Sequence, residues 1–208
     1  MQWSRLGAAC GFLVGLAYAL GSAVPVPALE LAAACVIGPA FLGFSLGLYH
    51  VLRARRPTVT LDLGLITNLA GGVTVTLMLF AQLGLNRWFE AEFGAGATDS
   101  SERALRAAFE AGNGIQLGLD VAWDVFLVLG ALLLASNMWH HPRFGRVLAA
   151  SGTVIAVALL VINLALFPEP PGHSAVDLGP VIGLWYVIVA VRLAMSGRWA
   201  AAHELPEA

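Results

Sequence analysis

Residues 115–138 read IQLGLDVAWDVFLVLGALLLASNM. The run holds no basic residue and no proline, and most of its side chains are aliphatic or aromatic. A helix needs about 20 mainly apolar residues to cross the hydrocarbon of a bilayer, so this run reads as a membrane span. It also carries two carboxylates, Asp120 and Asp124, four residues apart. Residues at that spacing lie on one helix face. Ionisable groups at membrane depth are costly and are usually tied to function. One stretch therefore sets the fold class and marks the first place to look for chemistry.

Outward from it, five more apolar runs fill the chain. The expected fold is all-α, a polytopic bundle of six transmembrane helices forming a single transmembrane domain over residues 1–208. The spans fall at about 6–24, 29–52, 61–85, 115–138, 147–167 and 176–195. Proline marks the breaks: Pro25-Val26-Pro27, Pro57, Pro142 and Pro168-Glu169-Pro170-Pro171. A proline lacks the amide proton and restricts the residue before it, so helices end there. The first run is expected to stay as an uncleaved span, because its apolar core is long for a signal segment. Pro39 and Pro180 lie inside spans two and six and are expected to break or kink them.

Charged residues make up 12% of the 208-residue chain and hydrophobic ones 59%. A soluble domain carries about 25% charged residues. Net charge is −2, which gives nucleic acid no basic footprint. All eleven basic residues are arginine. The lack of lysine excludes a Schiff-base cofactor such as retinal, which needs a lysine amine. The two cysteines, Cys10 and Cys35, begin antiparallel spans at opposite faces, too far apart for a disulfide, so both are expected as free, buried thiols.

Arginine also sets orientation. With the N-terminus inside, Arg5, Arg53, Arg55, Arg56, Arg143, Arg146, Arg192 and Arg198 fall on the cytoplasmic side, eight of the eleven. The rule that basic residues stay inside then places both termini in the cytoplasm, and the use of arginine for every basic residue other than histidine fits the codon bias of a GC-rich bacterial genome, hence an inner membrane. The one sizeable extramembrane element is the outer loop 86–114. Asp99 and Glu102 have capping-box spacing there, and Leu105, Ala108 and Phe109 share a face. That pattern predicts a short amphipathic helix on the outer surface, either packed on the bundle or lidding it.

Glycines recur at four-residue spacing: Gly7, Gly11 and Gly15; Gly43 and Gly47; Gly114 and Gly118; Gly179 and Gly183. Such faces let membrane helices approach closely. They are expected to pack within the bundle, and nothing in the pattern indicates a homo-oligomer.

In span four Asp120 lies about 7–8 Å below the outer boundary and Asp124 about 13–14 Å, close to the midplane. Two carboxylates that close in low dielectric cannot both ionise cheaply. Gln116 and Trp123 share the helix, and Asn163 in span five lies at similar depth. Gln82 and Asn86 end span three, Glu30 lies at the outer rim, and Trp185, Tyr186, Asp177 and His173 add polar surface on the same side. The asymmetry suggests an outward-facing polar pocket, closed below by apolar packing. Asp120, Asp124, Trp123, Gln116 and Asn163 are its candidate lining, and a cation, a proton or a small amphipathic molecule its ligand class. The other reading of these residues is hydrogen bonding between helices.

His140 and His141 point about 100° apart on a helix and read as interfacial, without a metal site. No HExxH, CxxC, GxSxG or phosphate-loop pattern is present, and no cofactor is called for. The leading expectation is therefore a binding or transport-related membrane protein whose environment is the lipid bilayer. A structural or interaction subunit is the alternative, and an intramembrane enzyme acting on a lipid or quinone the second.

Span two ends in Gly47-Leu48-Tyr49-His50-Val51-Leu52-Arg53, followed at once by a third apolar span, and the fourth span ends at Pro142-Arg143 before a glycine-rich fifth. This plan resembles a family of uncharacterised bacterial six-helix integral membrane proteins, built on a domain of unknown function. The resemblance implies the topology. It implies no activity, no cofactor and no catalytic residue.

Overall fold

The computed structural model describes residues 2–24, 26–94, 99–166 and 178–202. They form seven helices: α1 (Gln2–Ala23), α2 (Pro27–Arg53), α3 (Val59–Gly94), α4 (Asp99–Met138), α5 (Gly145–Leu166), α6 (Gly179–Ala194) and α7 (Gly197–Ala202). No strand occurs among the described residues. Helices α1 to α5 are each long and apolar enough to cross a membrane, and α6 is apolar but shorter. The fold is the expected all-α bundle.

Local chemistry fixes the helix ends. Val26 is extended (φ −116°, ψ 116°) and Pro27 opens α2, where its missing amide proton costs nothing. Pro180 lies in the first turn of α6. It starts that helix, so the expected break inside span six is corrected, while Pro39 sits within an α2 that continues through it. Between α4 and α5, Gly145 takes φ +79°. The His141 Nδ1 accepts the Arg143 amide at 3.2 Å, and its ring packs on Phe144 and Trp199 at 5.1 and 4.5 Å. His141 is thus buried in the turn, and only His140 is exposed.

Each helix packs on the next in chain order, and α6 returns to α1. The α5–α6 seam is the sparsest of this ring. Helix α2 also reaches α4 and α6, so it forms the inner column, with Phe41, Phe44, Leu48, Val51 and Leu52 buried. The tightest approach is between α1 and α2. A Cβ on Gly47 would lie 2.5 Å from the Gly7 Cα and 2.6 Å from the Trp3 carbonyl, so only glycine lets these backbones meet. Gly11 and Gly43 are likewise packed, whereas Gly114, Gly118 and Gly183 face open space. The close-packing expectation therefore holds for α1 and α2 and not for those three.

The surface is apolar. Leu16, Ile66, Leu77, Val154, Val161 and Leu184 are each more than half exposed. Soluble monomers rarely expose large contiguous apolar patches, and lipid is the solvent in which such a surface carries no penalty. Cys35 belongs to this exposed face and Cys10 is half-buried; both are free thiols, so the expectation of two buried ones fails at Cys35.

The main departure from expectation lies in 86–114. Helix α3 has 36 residues and α4 has 40, about 54 and 60 Å at 1.5 Å per residue. Both exceed the roughly 30 Å of bilayer hydrocarbon. The amphipathic segment is helical, but it is the first part of α4 and pairs with the end of α3 as a projecting hairpin. Phe89 stacks on Phe93 at 5.5 Å and meets Phe109 at 4.6 Å. Glu102 takes two bonds from Arg106, at 2.8 and 3.0 Å. The Asp99 side chain, on which the capping box depends, lies outside the described residues, as do Glu169, His173 and Asp177.

Candidate functional site

Two adjoining cavities open in the half of the bundle nearer the hairpin. The deeper one encloses about 400 Å³. Helix α1 gives it Gly11, Val14, Gly15 and Tyr18; α2 gives Ile37, Phe41 and Phe44; α3 gives Val75, Met78 and Leu79. Trp123 and Leu127 of α4 and the stretch from Pro180 to Val187 of α6 close it. Its lining is almost wholly apolar and rich in aromatic rings. Size and character match the concave, mostly apolar sites that hold small molecules.

The rings are held in place. Tyr186 meets Phe41, Phe44 and Trp185 edge-on, at 5.4, 5.6 and 4.9 Å. The Trp185 Nε1 donates to the Leu148 carbonyl at 2.9 Å, which ties α6 to α5. Close by lies a buried polar link. The Asn68 Nδ2 donates to Ser45 Oγ at 3.2 Å, and Ser45 donates to the Phe41 carbonyl at 2.8 Å. In hydrocarbon such links join helices that apolar contact alone would let slide.

The second cavity, about 320 Å³, lies between α1, α2 and α3 toward the hairpin end. Its polar lining comes from Tyr18, Glu30, Gln82 and Asn86. Tyr18, Ile37 and Leu79 line both cavities and mark the neck at which an apolar chamber borders a polar vestibule. At the vestibule rim the Arg87 Nη2 donates to the Pro27 carbonyl at 3.0 Å, which fastens α3 to the start of α2.

The five residues singled out from sequence divide. Asn163 of α5 donates to the Asp124 carboxylate of α4, so that pair does come together, with Asp124 buried. Gln116 is buried and Asp120 half-buried on the same α4 face. Of the five, Trp123 lines one of these two cavities, the apolar chamber. The carboxylate face of α4 thus meets α5, and the adjacent stripe of Trp123 and Leu127 faces the chamber. No group of three or more potential metal ligands forms among the described residues.

Sequence reasoning missed Tyr18, Phe41 and Phe44, and it read Glu30 only as a rim residue. A faint signal was present: the glycine faces of α1 and α6 open toward the same space, and small residues opposite aromatic ones make room. The chain matches no known family model, no curated protein and no solved structure, so its site is argued from its own geometry.

Proposed function

We propose that this chain is a multi-pass protein of a bacterial inner membrane, with six spans and both termini cytoplasmic, that binds a small amphipathic molecule from the outer side. The observation that carries the reading is the neck. An apolar, aromatic-walled chamber borders, at Tyr18, Ile37 and Leu79, a vestibule bearing Glu30, Gln82 and Asn86. That sequence of surfaces matches a molecule with an apolar tail and a polar head. The exposed aliphatic girdle and the arginines gathered at the end opposite the hairpin support the membrane setting and its orientation.

A second reading is favoured by one contact. Asp124, buried and bonded to Asn163, suits a proton or cation site on the α4–α5 face. Native mass spectrometry of the detergent-purified protein separates the two. Leu79→Trp fills the neck, and Leu77→Trp adds the same bulk on the exposed face. The expected result is an amphiphile adduct on wild type and Leu77→Trp that is lost in Leu79→Trp. Equal adducts on all three mean annular lipid and sink the cleft reading. If thermal stability instead responds to cations or pH, and Asp124→Asn alone abolishes that response, the carboxylate reading takes its place.

A further inference from the structure

The vestibule carries one formal charge. Among the residues that line the two cavities, Glu30 is the only ionisable carboxylate and no arginine or histidine accompanies it. Arg87, which lines neither cavity, turns its guanidinium to the Pro27 carbonyl. Glu30 itself is half-buried, in the first turn of α2. We infer that the molecule held in the cleft is an amphipathic cation. Its amine or quaternary ammonium head sits at Glu30, beside the hydrogen-bonding groups of Gln82 and Asn86, and its apolar tail passes the neck into the aromatic chamber. This rests on the cleft reading above and adds the charge of the head.

Three features of the cleft agree with a positive head. An anionic head would meet the Glu30 carboxylate in a partly desolvated mouth, where like charges repel more strongly than in water. A neutral head would leave that carboxylate without a counter-charge. The Tyr18 ring also lines the vestibule, and cations are attracted to aromatic faces. Glu30 has a bland role too, as a favourable charge at the α2 terminus. That role affects stability but not the choice among ligands, so ligand preference is the discriminating quantity.

The experiment uses the full chain in nanodiscs of zwitterionic lipid. Equilibrium dialysis measures saturable binding of three probes with one chain length, after subtraction of empty discs: dodecyltrimethylammonium, 1-dodecanol and dodecanoate. Wild type is expected to hold the ammonium about tenfold tighter than the alcohol, the scale of one charge pair in a partly screened site, and dodecanoate weakest. That advantage should shrink as salt rises, because a solvent-accessible pair is screened. Glu30→Gln should bring ammonium binding down to the level of the alcohol and leave the alcohol unchanged. Leu79→Trp should abolish saturable binding of all three. If ammonium and alcohol bind alike in both wild type and Glu30→Gln, or dodecanoate binds tightest, and Leu79→Trp still removes that binding, the cationic head is wrong and the cleft stands. If no probe binds saturably, or Leu79→Trp binds as wild type does, the cleft reading falls and this inference with it.

Discussion

At the scale of single residues, Asn68 shows how a polar group is made tolerable in an apolar core. It has no exposed surface. Its amide joins α3 to Ser45 of α2, and its oxygen lies against Gly130 of α4, where a Cβ would come within 1.7 Å. The side chain therefore fits only because residue 130 has none. Asn68→Ala should destabilise the protein by about 0.6–1.7 kcal/mol, the range for interhelical hydrogen bonds in membranes. Gly130→Ala should cost more, because the new methyl both displaces the amide and breaks its bond. The double variant should be more stable than Gly130→Ala alone, since removing the amide makes room for the methyl. Thermal unfolding of the four proteins forms a double-mutant cycle, and an interaction term of about 0.5–3 kcal/mol is expected for groups in contact. Strictly additive costs would mean the two residues do not share this space.

Among the elements, the α3–α4 hairpin is where sequence and structure part. Hydropathy ended the third span at residue 85, because Asn86 and Arg87 are polar. The loss of apolar character there does not end the helix. Residues 86–94 contain Arg, Glu and Ala, which favour helix in water as well, so α3 runs on to Gly94. The spans and their order were legible because 20-residue apolar runs and proline breaks are strong local signals. The partnership of Asp124 with Asn163 was legible only as equal depth, since which face of α4 meets α5 is a matter of packing. Of the chamber only the glycine faces of α1 and α6 gave a sign: a cavity is the space between five helices, and no spacing within one of them encodes it. Across the projecting hairpin, Phe89 of α3 meets Phe109 of α4 at 4.6 Å and Arg106 lies over the Phe93 ring at 5.3 Å. Phe89→Ala should therefore raise hydrogen exchange in 86–94 and 99–112 by an order of magnitude or so, with 120–138 unchanged, as expected for a unit that opens locally. Unchanged exchange at the tip would show that the two helices hold each other by other means.

For the whole molecule, orientation decides what the cleft can meet. The vestibule opens toward the hairpin, and the hairpin end carries acidic as well as basic groups: Arg87, Glu90, Glu92, Glu102, Arg103, Arg106 and Glu110. The opposite end gathers Arg53, Arg55 and Arg56 with Arg143, Arg146 and Arg198. At that end Tyr49 donates to Asp62 at 2.7 Å and accepts from Arg53 at 3.2 Å, so one of its arginines is fixed to the α2–α3 junction while Arg55 and Arg56 remain exposed. Because loops rich in arginine are retained on the cytoplasmic side, the vestibule should face outward. The two native thiols can be replaced by serine, and single cysteines then report sidedness: Glu90→Cys on the hairpin and Arg55→Cys at the far end, both exposed positions. In intact cells a membrane-impermeant maleimide should modify Glu90→Cys at once and reach Arg55→Cys only after permeabilisation. The reverse pattern would turn the vestibule toward the cytoplasm. Glu30 would then select among cytoplasmic rather than external cations, and the cleft would receive its ligand from the cell interior.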